Sequence, residues 1–411
     1  MSLDKLSRRE FITKSAAGLA VGALSTAPAA ARIVGSNDRL SIGIIGAGGQ
    51  GRYQMQQIIN LSDSQNAEIT AVCDVWRLSM DAAVDMCKKK WNREPRKFTN
   101  YHELLALSDV DAVVIATPDF HHSRILAQAV RAGKDAYVEK PMASEFKDAK
   151  EAWKATIETG RIVQSGTQRR SDGRHKAGAE LINSGILGKI SRVECAWNDC
   201  GPRWRRDVSN VKSEDVDWKM YLEGRKYRPF DPHQFREWHL YREFSIGTIG
   251  LLGSHMIDVV HWFMDDPFPV SAVAAGGNYA WNDGRENEDT MYAILEYPKG
   301  WVLRYCTGLG NSLGNNCYFY GTNGSFDTNT WKVTGAGGSG KDRIAKEFDL
   351  KPLPGENHMQ NFLECVRSRK QPNADIHTGY AHSVACLMGG MALRTGKRMI
   401  YDAVRQEIVE G

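Results

Sequence analysis

The stretch LSIGIIGAGGQG sets Gly46, Gly48 and Gly51 in the spacing G-x-G-x-x-G, behind an apolar run and ahead of a helical pattern that begins at Arg52. Glycine at these places allows a tight turn and lets the backbone approach a pyrophosphate, which then rests on the N-terminus of the next helix. Gly49 and Gln50 lie within the turn and share that expected contact surface. Asp74 ends the following apolar run, AEITAVCD, 23 residues after Gly51. An acid there accepts hydrogen bonds from the adenine ribose hydroxyls and repels a 2′-phosphate, so the expected cofactor is NAD, with NADP second. Arg77 is the nearby side chain that would hold a phosphate.

Histidines are the next groups with chemistry to offer. His121 and His122 follow AVVIATP, at the carboxyl end of a strand, where ligands bind in open α/β sheets. His122 is the better placed of the two, with Thr117 and Pro118 expected to line the nicotinamide. GLLGSHMIDVVHW, residues 250–262, carries His255, Asp258 and His261. Their steps of three and six put the outer two on different faces of a helix, which argues against a shared metal. His261, beside Trp262, reads as a core histidine. Residues 217–245, DWKMYLEGRKYRPFDPHQFREWHLYREFS, are crowded with aromatics and arginines. Aromatic faces stack on the C–H surface of a sugar, and charged donors bind its hydroxyls. Trp218, Phe230 and Trp238 read as hydrophobic ties of a long loop, and Arg236, His239 and Tyr241 as the residues facing a substrate pocket.

These groups need a scaffold, and the patterning supplies one. Between about residues 40 and 165, short apolar runs alternate with helical stretches, as in a parallel sheet covered on both faces. From about Val193 the strands become longer and alternating: ISRVECAWND, VSAVAAGGNYA, TMYAILEY, GWVLRYCTG and NCYFYGTNGSF. The fold class is therefore α/β, a Rossmann dinucleotide-binding domain followed by an α+β domain with an open, mainly antiparallel sheet. The expected boundaries are 38–165 for the nucleotide domain, 166–355 for the substrate and oligomerisation domain, and 356–411 for C-terminal helices that close the structure. The glycine-rich GTNGS and GAGGSG read as turns, since no helix follows either.

Residues 1–31 predict a separate fate. Arg8 and Arg9 precede a short, weakly apolar run and the small residues APAAA, the layout of a twin-arginine export signal with a cleavage site. The expected location is the periplasm, or another exported site. The run is too short to span a bilayer, and no later segment is long and apolar enough to do so. The formal net charge of +4 falls by two without the signal, which gives no support for nucleic-acid binding. Among the eight cysteines there is no C-x-x-C pair. Cys195 and Cys200 are near enough in sequence to consider a bridge, which the sequence leaves open.

AYVEKPMA brings Glu139, Lys140 and Pro141, and with ATPDFHH and the glycine turn the chain resembles the Gfo/Idh/MocA oxidoreductase family over nearly its whole mature length. The resemblance implies that Lys140 lies beside the nicotinamide and the substrate hydroxyl and serves in proton transfer, with Glu139 and Lys140 at the cofactor. A lysine next to a cationic nicotinamide has its ammonium form disfavoured and becomes a base near neutral pH. The resemblance also implies that His255 faces the nicotinamide from the first turn of a helix. Ser254 would be the N-cap, and the helix dipole would keep the imidazole neutral. Asp258 would hold a sugar hydroxyl, and His377, in DIHTGYAH, would help close the site. The sequence departs from the family at Leu251, where an Asp is usual, so the Lys, Asp, His set is incomplete.

The function so implied is an oxidoreductase with tightly bound NAD that moves a hydride from or to a secondary hydroxyl carbon of a sugar, glycoside or cyclitol. One alternative is a redox-neutral glycosidase or lyase that oxidises its sugar transiently. Another is a sugar-binding protein without turnover. An alternating sheet with apolar residues on its outer face predicts a homo-oligomer, a dimer or a tetramer.

Overall fold

The first sheet runs β1 (Leu40–Ile45), β2 (Ala67–Cys73), β3 (Arg96–Phe98), β4 (Ala112–Ile115), β5 (Asp135–Val138) and β6 (Val163–Ser165). All its pairs are parallel, in the order β3-β2-β1-β4-β5-β6. The chain is represented by a computed structural model that describes residues 39–411, so the expected export signal lies outside the described residues. Apolar runs form these strands because both faces are covered. In β4, Ala112 and Val114 enter one core while Val113 and Ile115 enter another. The strand order reverses between β1 and β4, and a crevice opens at their carboxyl ends. β3 has three residues and sits on the sheet edge.

The second sheet has ten strands: β7 (Ile190–Asn198), β8 (Ser271–Gly277), β9 (Thr290–Tyr297), β10 (Trp301–Gly308), β11 (Asn316–Gly321), β12 (Gly324–Asp327), β13 (Lys332–Thr334), β14 (Phe348–Asp349), β15 (Met399–Asp402) and β16 (Glu407–Glu410). Their order is β14-β13-β12-β11-β7-β10-β9-β8-β15-β16. The sheet is antiparallel except for β7 and β10, which run parallel. In β9, Met291, Ala293, Leu295 and Tyr297 point into the core, while Tyr292 and Ile294 are exposed on the outer face. Helices Ser254–Met264 and Ile376–Thr395 pack against each other on the inner side. GTNGS is the turn between β11 and β12, and GAGGSG follows β13.

One expectation changes here, and two open points are filled in. The last residues are not helical: β15 and β16 extend the second sheet. The C-terminal helical stretch is two helices, His358–Ser368 and Ile376–Thr395, parted at Arg369, which is left-handed at φ 58°. Met359, Phe362, Leu363 and Val366 of the first pack into the nucleotide-domain core with Leu40, Ile42 and Ile44. Finally, Cys195 faces Cys317 across β7 and β11, with the sulfurs 2.7 Å apart, and Cys200 is exposed; all eight cysteines are free.

Candidate active site

β1 ends in the glycine turn, and the helix Gly49–Leu61 starts with Gly48 as its N-cap, without a side-chain cap. Gly46 has φ +89°, and a Cβ there would meet the Ala116 and Thr117 backbone at 2.7 Å. A Cβ on Gly51 would fall 1.9 Å from the Gly46 carbonyl oxygen. Gly48 and Gly49 face open space instead. The turn thus packs on two glycines and presents uncapped N–H groups through the other two, which suits a pyrophosphate.

A cavity of about 360 Å³ runs from this turn along Asp74, Trp76 and Ser79 on one side and Thr117, Pro118 and His121 on the other. Asp74 accepts hydrogen bonds from Ala47 N at 2.6 Å and Trp76 N at 2.8 Å, and burial still pushes its carboxyl up to about 6. Arg52 and Arg236 stand near it. Arg236 lies over the Trp76 ring at 4.8 Å, and its buried Nε has no hydrogen-bond partner among the described residues. A dinucleotide fits this donor set: uncapped amides for phosphates, a carboxylate for ribose, and an indole with an unpaired guanidinium at the adenosine end.

Arg77, the expected phosphate holder, is placed elsewhere. It pairs with Asp215 at 2.7 Å and leaves the cavity lining. Residues 206–239 roof the cavity, supplying Arg206, Met220, Tyr221, Phe235, Arg236, Trp238 and His239. Trp218, Tyr221, Phe235 and Phe244 bury themselves against Trp76 and Phe120 and anchor that roof, with Phe230 and Trp238 packed alongside. Tyr241, expected in the pocket, packs with this anchor and not with the cavity lining.

Lys140 follows β5, and its Nζ donates to the Leu251 carbonyl oxygen at 2.9 Å. Burial lowers its ammonium from the ordinary value, against the pull of Glu139 and Asp119. Glu139 points the other way, as neighbours on an extended chain do, and accepts from Gln50 at 2.8 Å and Gln54 at 2.6 Å. Asp119 was not singled out from the sequence. One of its oxygens accepts from Ser245 at 3.0 Å, the other has no partner among the described residues, and burial pushes the carboxyl up to about 7.

Leu251 lies in a π-helical turn, Ile249–Gly253, that runs directly into Ser254–Met264. Ser254 is therefore helical and no N-cap, since it has no free helix start to cap. The dipole account of His255 falls with it. Its imidazole is instead pushed well below its ordinary value by burial and by the Lys140 and Arg169 charges. His239 is lowered in the same way, by burial and by Arg206, Lys140 and Arg203. Its ring is sandwiched between Trp204, at 5.4 Å and 4°, and Trp238, at 3.6 Å and 18°. Lys140, His255 and His239 thus share one region, with two neutral imidazoles beside the amine.

The remaining expected residues are placed differently. Asp258 is buried in an ion pair with Arg170 at 2.9 Å and has no access to a sugar. His122 lies between the carbonyl oxygens of Pro141, at 2.7 Å, and Thr117, at 2.8 Å, so it ties two loops and does not line the cavity, whereas His121 does. His377 accepts from the Trp153 indole N–H at 3.1 Å on the outside. From the same helix His382 is the buried one, with Met142 N donating to its Nε2 at 3.4 Å. His261 bonds the Tyr297 hydroxyl at 2.7 Å in the core. Among the described residues no cluster of three metal-ligating side chains occurs, and no helix is long and apolar enough to cross a membrane.

Two family models match the chain. One, described as an oxidoreductase family with an NAD-binding Rossmann fold, covers residues 40–167; the other, the C-terminal alpha/beta domain of the same oxidoreductase family, covers 220–391. A glycosyl hydrolase family 109 protein of Shewanella baltica is 26% identical over 220 residues, 52% of this chain and 44% of that protein. An inositol 2-dehydrogenase of Salmonella paratyphi B is 25% identical over 230 residues, 56% of each chain. The chain thus spans about half the length of the curated relatives it matches. The WlbA dehydrogenase of Bordetella pertussis, solved with NADH and UDP-GlcNAcA, superposes with a TM-score of 0.66 at 20% identity, covering 89% of this chain and 99% of that one. At that identity the likeness speaks to the fold.

Proposed function

The chain belongs to the Gfo/Idh/MocA oxidoreductase family, and from that premise we propose that it oxidises or reduces a secondary hydroxyl carbon of a sugar, glycoside or cyclitol with an NAD that it retains. The observation that carries this reading is the placement of Lys140 at the carboxyl edge of the parallel sheet, its Nζ held by a main-chain oxygen of the π-helical turn that leads into His255. NAD bound in the cavity would supply the hydride acceptor. Lys140, with its ammonium disfavoured, takes the hydroxyl proton as the carbinol carbon becomes a carbonyl; in the reverse direction it returns that proton. His255 and His239 offer neutral ring nitrogens to the neighbouring hydroxyls. The roof of residues 206–239 lines the cavity and would shield a bound nucleotide from water and hold it in place.

That roof also supports a second reading, transient oxidation. A cofactor that does not leave can return its hydride to the same sugar after the aglycon has been eliminated and water added, and some curated relatives carry a glycosyl hydrolase name. The twin-arginine signal favours retention as well: we place the mature protein in the periplasm or another exported site, loaded with nucleotide before export. We also propose a homo-oligomer, a dimer or tetramer, that covers Tyr292 and Ile294 on the second sheet, which light scattering reads directly.

The test mixes the purified holoprotein with a panel of free sugars, cyclitols and aryl glycosides. Absorbance at about 340 nm follows reduced nicotinamide, and a second channel follows aglycon release. Net reduction is the expected outcome for the dehydrogenase. Aglycon release without net reduction establishes the redox-neutral path, and silence in both channels across the panel overturns enzymatic function.

A further inference from the structure

Around the π-helical turn, next to Trp238 and His239 of the cavity lining, lies a cluster of tryptophans. Trp197, Trp204, Trp238 and Trp281 pack on Leu251, Leu252 and Leu309, and each keeps part of its ring exposed. Trp204 is held at φ 68°, a left-handed conformation that a bulky residue rarely adopts, and its ring lies flat on His239. Trp197, at the end of β7, faces His255 at 5.8 Å.

Two guanidiniums approach this cluster. Arg169 and Arg203 bring their guanidinium carbons to 5.9 and 6.0 Å from the Trp197 ring centre. Neighbouring basic groups are neutralised: Arg170 by Asp258, and Arg205 by Glu237 and Asp283. Arg203 shares Asp199 at 2.8 Å, on the outer side where both are about a third exposed. Arg169 has no carboxylate within ion-pair distance among the described residues, and its contact with the His255 carbonyl oxygen is long, at 3.5 Å. The cofactor's phosphates do not account for these charges, because Arg52, Arg206 and Arg236 already line the nucleotide cavity, and Arg169 and Arg203 do not. A half-buried guanidinium without a counterion is costly, and an oxyanion in a planar fork is its strongest partner.

We infer that the substrate is a carbohydrate bearing a fixed oxyanion, a carboxylate or a sulfate or phosphate ester, seated with its ring against Trp197 and its anion on Arg169 and Arg203. The inference rests on the reading that the site beside this cluster receives a carbohydrate. It gives Arg169 and Arg203 the role of choosing among sugars, while Lys140 performs the proton transfer on whichever sugar is admitted.

Calorimetric titration of the holoprotein tests this without requiring turnover. The probes are methyl glucuronoside, glucose 6-sulfate, glucose 6-phosphate and neutral methyl glucoside. At least one charged probe should bind more tightly than the neutral one by about tenfold or more, about 1.4 kcal/mol, and the margin should shrink with added salt. The strongest charged arm separates sugar acids from sugar esters. Arg169→Gln and Arg203→Gln should each erase most of that margin, with Arg169→Lys restoring part of it. Equal or tighter binding of the neutral sugar, or a margin that survives both Gln variants, overturns the inference. Reduction of nicotinamide by neutral sugars alone also overturns it while leaving the oxidoreductase standing. Charged-sugar binding with no reduction on any sugar supports the inference and removes the redox reading instead.

Discussion

Lys140 carries the clearest prediction at the scale of single residues. Lys140→Ala should lower turnover by about a hundredfold or more, the scale of a positioned acid or base, while the protein still purifies with nucleotide. Stopped-flow reduction of the bound cofactor measures the first quantity and absorbance the second; unchanged turnover removes Lys140 from the chemistry. The placement of Gly46, Asp74 and Lys140 just past strand ends was legible in the sequence, because local spacing decides it. Asp258 and His122 were misread because side-chain partners far along the chain decide their roles: Arg170 claims the first, and the Thr117 and Pro141 carbonyls enclose the second. Asp119, Arg169 and His382 were overlooked for the same reason, since no local pattern marks a residue that long-range packing brings to a site.

Two segments govern the site at the scale of elements. The roof hangs on an aromatic cluster in which Phe235 meets Trp76 edge-on at 5.7 Å and Tyr221 at 5.1 Å. Phe235→Ala should release part of that anchorage, at a cost of about 3–5 kcal/mol if the site does not relax. Its signature is nucleotide lost on gel filtration where the wild type keeps it; a variant that retains NAD as firmly assigns retention to other contacts. The π-helical turn is the second segment. Leu251 is 5% exposed among tryptophans and leucines, while its carbonyl receives Lys140. Leu251→Asp therefore buries a carboxylate in an apolar cluster, and should depress the melting temperature without speeding cofactor reduction. Faster reduction would mean that the side chain lost at this position still limits the chemistry. The acceptor for Lys140 is main chain, so no substitution at 251 deletes it. Helical periodicity reads an ordinary helix start at Ser254, because a π turn has no composition of its own. Alternation identified the long strands β7 to β11, whereas β3 and β14, with three and two residues, are too short to carry a pattern.

At the scale of the whole molecule, buried histidines set the response to acid. Burial pushes His121, His122 and His358 down to about 4 and His382 to about 3, and holds His239, His255 and His261 well below 6.5. Between those folded values and the unfolded value of 6.5 the unfolded chain binds more protons, so their stabilisation is complete above pH 6.5 and lost as pH falls. Asp74 and Asp119, raised to about 6 and 7, act in the opposite direction, as do Asp258, Asp266 and Glu288, which burial also raises, but the histidines outnumber them. The melting temperature should fall by roughly 5 °C or more between pH 7.5 and pH 5; a flat profile would mean that these imidazoles gain protons without opening the fold. Two domains were legible in the change of strand pattern near residue 190, but their boundaries were not, because the helix His358–Ser368 crosses back. Met359, Phe362, Leu363 and Val366 complete the core beneath β1 and β2, some 300 residues after those strands. The order of synthesis therefore matters. The glycine turn leaves the ribosome early, but the wall behind it arrives some 300 residues later, so the nucleotide half cannot finish folding before that helix is made. Cofactor capture then waits on the helix His358–Ser368, and a chain halted before residue 358 would hold every glycine of the cofactor turn and still be unable to grip NAD.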